Sequence, residues 1–404
     1  MTKRSLLFLS LFLFAGFPSY GQVEISGSVD VAVKMGGEES GYFVNGIHTD
    51  FTHFHTRVEE FNLDVFAPLS DNFFIEARTQ VKNDAQGKLA PPKLVLANAT
   101  YSPLDKQYFI QGGKIIMPFG FYPSRQLQID RTFVDYPMSY SYSIFISRER
   151  GWWKGTRGKY VETQVDYGVQ NIFYGGYTTG LMYGWENDKS TVRLAMANES
   201  ITGYDASTNQ TLGGIARFTH SPSAYFTFGL SATHGSFMHS TAANDSVFSE
   251  SDLSEFTQTA LGGDFQIGFT FFEIIGEATF SNWQVPGLAL TEQTGGEIDR
   301  RYLRDNSGDI EKLSLSNLAA NIDLKFEPPF FTGGYFAVRY DQMTFFDADS
   351  DELGSFMWDY DNTRITGVIG YKLDRNVLFK LSLSEQDDFN GKAYAFKAYL
   401  TAAF

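Results

Sequence analysis

The 404-residue chain is 43% apolar and 16% aromatic, with 38 glycines, 12 prolines and no cysteine, so it is long enough for one large all-β domain and excludes both a disulfide scaffold and a thiolate metal site. Its 47 acidic residues outnumber 32 Lys and Arg, for a net −15, which argues against a nucleic-acid partner and against a polybasic membrane-surface role.

The chain opens on a targeting segment. Lys3 and Arg4 precede an apolar run, Leu6 to Phe17, and small residues Ser19 and Gly21 follow at signal-peptidase spacing, so residues 1–21 are expected to be a removed signal peptide and 22–404 the mature domain. Loss of the two bases takes the net charge from −15 to −17. No later run reaches the roughly 18 apolar residues of a membrane helix.

From residue 23 onward the period is two. Ile25, Gly27, Val29, Val31 and Val33 alternate with Ser26, Ser28 and Asp30; Leu318, Ala320, Ile322, Leu324 and Phe326 alternate with Asn317, Asn321, Asp323 and Lys325. This is the signature of strands with one apolar and one polar face. Turn-forming clusters at Ala67–Asn72, Ser102–Lys106, Glu186–Ser190, His220–Ala224, Gly268–Phe271, Glu327–Gly334 and Lys372–Asn376 give seven tight reversals. Longer polar connections fall at 34–53, 82–92, 118–162, 200–210, 235–256, 282–313, 344–362 and 387–392. Short and long connections in alternation predict an all-β transmembrane antiparallel β-barrel of about 16 strands, with short periplasmic turns and long extracellular loops. Glycines blur the pattern over 161–186, and 14 or 18 strands also fit. Tyr394, Phe396, Ala398, Leu400, Ala402 and Phe404 form one outward face of the last strand, which resembles the terminal signal read by the barrel assembly machinery.

Alternation places nine bases on the inner wall: Arg78, Arg193, Arg217, Lys325, Arg339, Arg364, Lys372, Lys380 and Lys397. It places nine acids there too: Asp30, Glu60, Asp64, Glu76, Asp264, Glu273, Glu277, Asp323 and Asp341. A wall so balanced sets no selectivity, which is left to a constriction. The longest connection, 118–162, is expected to fold inward and provide it. It carries Arg125, Arg131, Arg148, Arg150, Lys154, Arg157 and Lys159 against Asp130, Asp135, Glu149 and Glu162, a net +3. Three roles fit these bases: drawing anions to the constriction, pairing with wall acids to pin the loop, or reaching lipopolysaccharide phosphates outside. His48, His53 and His55 lack a third metal ligand at a fixed spacing, and His220, His234 and His239 accompany no nucleophile motif, so neither catalytic residues nor a metal or other cofactor is expected. Asp347, Asp349, Asp351, Glu352, Asp359 and Asp361 crowd the seventh loop without a base and read as a solvated extracellular segment.

Two segments resemble a family. Gly113-Lys114-Ile115-Ile116-Met117-Pro118-Phe119-Gly120 is similar to the G-[KR]-x-x-x-P-F-G stretch of phosphate-selective porin O/P-like proteins, and Asp166-Tyr167-Gly168-Val169-Gln170 is similar to the D-x-G-V-x strand after their third loop. The resemblance implies a 16-stranded, usually trimeric pore whose third loop folds inward and guides anions with Arg and Lys. Arg125, Arg131, Arg148 and Arg150 match that loop by position. The chain departs from the family in its acidity, its balanced wall and the missing amphipathic N-terminal extension. The expectation is a water-filled diffusion channel for small hydrophilic solutes, inorganic anions among them. It would be a homotrimer contacting outer-membrane lipids and lipopolysaccharide, with no nucleic-acid partner. The alternative is a closed barrel whose loops bind a surface or assembly partner.

Overall fold

The computed structural model describes residues 23–36, 54–83, 89–154, 168–203, 212–238, 253–292, 298–388 and 391–404. The expected signal peptide lies outside them, as do His48, His53, Arg157 and Lys159.

Sixteen strands form the wall: β1 Glu24–Gly36, β2 His55–Ser70, β3 Phe73–Lys82, β4 Lys93–Tyr101, β5 Tyr108–Ile116, β6 Tyr177–Glu186, β7 Ser190–Ala197, β8 Gly213–Ser223, β9 Phe226–Ser236, β10 Thr257–Phe269, β11 Phe272–Glu292, β12 Lys312–Phe326, β13 Gly334–Phe345, β14 Asn362–Asp374, β15 Val377–Asp388 and β16 Gly391–Ala403. Each pairs antiparallel with its neighbours in sequence, and β16 returns to β1 in register from Ser28↔Ala403 to Gly36↔Ala395. Closure leaves no free edge, so every strand can satisfy its backbone against another in lipid. Gly27 and Phe404 seal the seam, exchanging two N–H···O=C bonds of 3.0 Å.

All seven expected turns are reversals between strands, and the strand count is 16. Two boundaries differ. The sixth long connection is shorter at its start than 282–313 because β11 is a 21-residue strand that runs on to Glu292. The third runs from 117 to 176, well past 162. Gly168, Val169 and Gln170 lie inside that loop and not on a strand. Val169 accepts from the Ile144 N–H and donates to the Ile146 carbonyl, each at 2.8 Å, so the backbone partners it needs come from the loop. Any side chain at Gly168 would collide with the Ile144 carbonyl.

The pleat sorts the two faces. Leu181, Leu194, Met196, Leu230, Leu261, Ile322, Val338, Ile365 and Leu383 point outward and are exposed, forming a belt whose apolar area is matched to hydrocarbon. Aromatic rings edge it at the short-turn end, where Phe272 stacks on Phe326 at 4.6 Å, Phe331 on Tyr371 at 5.4 Å and Phe73 tilts against Tyr101 at 4.7 Å. At the opposite end the last residues of β11 rise beyond the barrel. They pair with Ile298–Tyr302 and, in parallel, with the loop strand Gly151–Lys154. Trp152, Trp283, Phe345 and Trp358 are buried beneath this roof.

The pore and the loop that narrows it

Loop 117–176 enters the barrel at Gly120, whose φ of 70° favours glycine. A Cβ here would collide with the Tyr140 hydroxyl and the Glu277 carboxylate. The Gly120 N–H donates to Ser231 at 3.1 Å and the Phe121 N–H to Glu277 at 2.9 Å, while the Tyr140 hydroxyl donates to the same carboxylate at 2.6 Å. The last residue of the G-[KR]-x-x-x-P-F-G stretch is thus the point where the chain turns from wall to lumen.

Beyond this corner the loop is fastened strand by strand. Tyr122 donates to Asp323 at 2.8 Å on β12, the Met138 N–H donates to Asp341 at 3.0 Å on β13, and Arg364 on β14 donates to the Tyr136 carbonyl at 2.6 Å. Lys380 on β15 donates to the carbonyls of Gln128 and Arg131, both at 2.6 Å, and Lys397 on β16 holds the Asp135 carboxylate at 2.7 Å. On the return, the side-chain amides of Asn171 and Asn317 bond each other at 2.8 and 2.9 Å. Burying a charge without a partner costs several kcal/mol; Asp323, Asp341 and Arg364 already have partners on the wall, whereas Lys380 and Lys397 take theirs from the loop.

The loop's own titratable groups reflect that burial. Burial alone would raise the Asp135 carboxyl, but Lys397 and Arg364 bring it below the ordinary carboxylate range. Asp130 is raised, because its burial outweighs the attraction of Arg78 and Arg125. Burial lifts the Tyr122 and Tyr140 hydroxyls well above the ordinary phenol value, which keeps both as donors.

The opposite wall is different. Arg78 pairs with Asp64 at 2.6 Å and Lys82 with Glu60 at 3.1 Å, and these four side chains keep 12–28% exposure. The Arg339–Asp323 and Arg364–Asp341 pairs keep 0–5%. On β5 the half-buried Gln111 bonds to Asn98 and Thr100, which are buried on β4. The loop therefore packs against β9–β16 and shares a buried apolar cluster with Ile115, Met182, Ala195 and Ile215 of β5–β8 through Phe119, Tyr122, Tyr136 and Tyr140, while the ion pairs that keep contact with water lie on β2 and β3. Two spaces border the loop. One of about 980 Å³ lies at the short-turn end and is lined by Arg125, Asp130, Arg131, Glu273, Lys325 and Lys372. The other, about 240 Å³, lies between Met117–Ser124 and the β7–β10 wall.

The expected constriction residues do not form one group. Arg125 and Arg131 are together at the short-turn space; Arg125 approaches Glu273 at 3.8 Å and covers the Phe121 ring, and Arg131 lies 4.0 Å over Tyr136. Arg148 is near the middle of the loop, paired with Glu199 and donating to the Phe237 carbonyl at the long-loop end of the barrel, with Arg150 in the adjacent turn. Lys154 ends the roof strand. Of the expected wall residues, Arg78, Arg193 and Arg217 border the water-accessible side, where Arg217 is clamped by Asp264 at 2.7 and 2.9 Å. Glu76 is half-buried on β3. Arg339, Arg364 and Asp341 are sealed beneath the loop.

The seventh-loop acids are not without partners. Glu352 pairs with Arg301, Asp351 accepts from the Asn306 N–H at 3.0 Å, Asp359 from the Phe145 N–H at 2.9 Å and Asp361 from the Phe345 N–H at 2.8 Å. They fasten loops to one another. Sequence reading also missed Tyr122, Tyr136 and Tyr140, although the density of apolar residues from Phe133 to Ile146 signals a loop that is not solvated.

A closed 16-stranded barrel, an inward third loop and a lipid-facing belt decide the architecture. The fold is that of the outer-membrane porins. The chain is an integral β-barrel of a Gram-negative outer membrane, with the short turns of the porin fold on its periplasmic side. No family model matches the chain, and no curated protein sequence does. Solved porin structures do. An anion-selective porin from Comamonas acidovorans aligns with a TM-score of 0.58 at 8% identity, covering 95% of this chain and 99% of that one. The outer-membrane channel DcaP of Acinetobacter baumannii aligns at 0.54 and 12% identity, covering 96% and 99%. OmpT of Vibrio cholerae in its trimer form aligns at 0.52 and 8% identity, covering 95% and 99%.

Proposed function

We propose that this barrel is a diffusion channel for small hydrophilic solutes, that its path runs past the inward loop on the side of β2 and β3, and that it favours anions. The observation that carries this reading is the asymmetry of the wall. Ion pairs on β12–β14 are sealed while those on β2 and β3 retain contact with solvent. A barrel closed by its own loop would bury both sets. Water in the path lets charges persist there, and no bond is made or broken during passage.

The anion preference rests on which charges are neutralised. Most cations around the path are matched by a carboxylate, but Arg193 forms no ion pair among the described residues, and Arg125 meets Glu273 only at 3.8 Å. An unmatched guanidinium raises the local anion concentration. Arg131, beside Arg125, adds to the same end of the path. Arg148 and Arg150 would act on solutes at the extracellular entrance. The Comamonas porin, which shares this fold, is anion-selective, and that supports the same preference. Phosphate specificity has no further support. The trimer form of the Vibrio protein supports homotrimerisation, with the belt facing lipid or a second copy.

The test is the zero-current potential in a planar bilayer under a salt gradient. An anion-selective potential that falls in the Arg125→Ala/Arg193→Gln double variant is the expected result. Folded protein without conductance would overturn the channel.

A further inference from the structure

The 240 Å³ recess between the loop and the β7–β10 wall has two chemically distinct halves. Its barrel side carries Arg193, Thr191, Thr219 and Gln266; its loop side carries Met117, Pro118 and Phe121. Arg193 stands directly opposite Arg217 across the β7–β8 register. Arg217 is already committed: it forks onto Asp264 and donates to Ser231 at 2.9 Å. Gly229 permits that clamp, because a Cβ there would lie 2.6–2.7 Å from both partners. Among the described residues Arg193 has no such partner, and its buried Nε has no hydrogen-bond acceptor. One cation is therefore left over at the edge of a half-apolar recess.

We propose that this recess is a binding subsite for small monocarboxylates with an apolar body, of which benzoate is the model. This deepens the channel reading above and rests on it. The carboxylate would take the fork of Arg193, with the threonine hydroxyls beside it as further donors. The hydrocarbon would lie against Met117, Pro118 and Phe121, where apolar surface removed from water favours binding. Inorganic phosphate fits less well. It needs donors on every side, and the loop half of the recess would strip water from it without replacing the hydrogen bonds. The volume equals that of about eight waters at ~30 Å³ each, the scale of a single-ring solute. A single guanidinium with neutral donors beside it binds weakly enough to release its solute.

The experiment is calorimetric titration of the folded, detergent-solubilised full chain with sodium benzoate and, separately, with sodium phosphate, alongside chloride conductance of the same preparation. Benzoate should bind at least tenfold more tightly than phosphate, and Arg193→Gln should weaken benzoate about tenfold or more. Phe121→Ser, which leaves every charge in place, should weaken benzoate more than acetate. Equal binding of phosphate, or benzoate binding unchanged in Arg193→Gln, would overturn the subsite whether or not the protein conducts. Loss of conductance with benzoate binding intact would overturn the channel and leave the subsite standing.

Discussion

Arg339 and Asp323 face each other across β12 and β13 in a two-pronged pair of 2.7 Å contacts, both buried, and the Tyr122 hydroxyl of the inward loop bonds to each. Tyr122 thus ties the loop to a wall pair that would exist without it. Phe133, 4.2 Å from the guanidinium, covers the pair from the loop side.

A buried pair of this kind is costly to break and cheap to replace. Arg339→Met alone leaves Asp323 charged and unmatched, and should cost about 3–5 kcal/mol. The double variant Arg339→Met/Asp323→Leu should recover most of that loss. Urea unfolding of the two variants, followed by tryptophan fluorescence, tests it; a double variant no better than the single one would show that the pair itself stabilises the barrel.

Asp135 gives the loop a dependence on acid. Burial pushes its carboxyl up, Lys397 and Arg364 pull it down further, and the native value ends below the ordinary one. The depressed group contributes stability that is fully present above its unfolded value of about 3.9 and is lost as pH falls through the native value. Loop docking should therefore be constant from pH 7 to about pH 5 and weaken below pH 4. Conductance noise recorded against pH should rise in that acid range, and Asp135→Asn should show the noisy state already at pH 7. An acid response identical in wild type and variant would assign it to another group.

Gly120 and Gly112 make a matched comparison. Gly120→Ala forces a side chain into a positive-φ corner already occupied by Tyr140 and Glu277, so it should cost about 1–2 kcal/mol and displace the loop's entry. Gly112 has only Leu181 at 3.5 Å from a Cβ, and Gly112→Ala should be nearly silent. Unfolding midpoints and single-channel conductance read both effects.

The seam offers a third comparison. A Cβ at Gly27 would meet the Phe404 ring and the Asn62 carbonyl at 2.6 Å. Gly27→Leu should evict the terminal ring and reduce the fraction of chain that reaches the heat-modifiable barrel form, measured by gel mobility. Gly214→Leu, where nothing lies within 4 Å, should not.

The wall was legible because period two survives along each strand whatever the strand packs against: Leu381 and Leu383 alternate with Lys380 and Ser382 and do face opposite sides. Bulges are where alternation fails. The irregularity between Asp30 and Val31 puts Glu60 opposite Asp30 and leaves Glu59 as the extra residue of β2, where it pairs with Lys34 at 2.8 Å, and two consecutive acids in a strand were the only trace of it. The loop was harder. Its net +3 suggested one basic constriction, but charge count carries no depth, and Arg125 and Arg148 lie toward opposite ends of the barrel. What fixes the loop is tyrosine and backbone against wall ions, a pattern with no period. Gly168-Val169-Gln170 read as a strand because local sequence cannot reveal that Ile144 and Ile146 would supply its partners.

The central claim is that the path runs on one side of the loop. The chain has no cysteine, so single cysteines can be placed at Gln80 and Gln111, half-buried on β3 and β5, and at Thr366 and Ser382, each 1% exposed beneath the loop. A charged methanethiosulfonate reagent added to open channels should lower conductance at Gln80→Cys and Gln111→Cys within seconds and leave Thr366→Cys and Ser382→Cys untouched. Equal reaction at all four positions, or reaction only beneath the loop, would contradict the account.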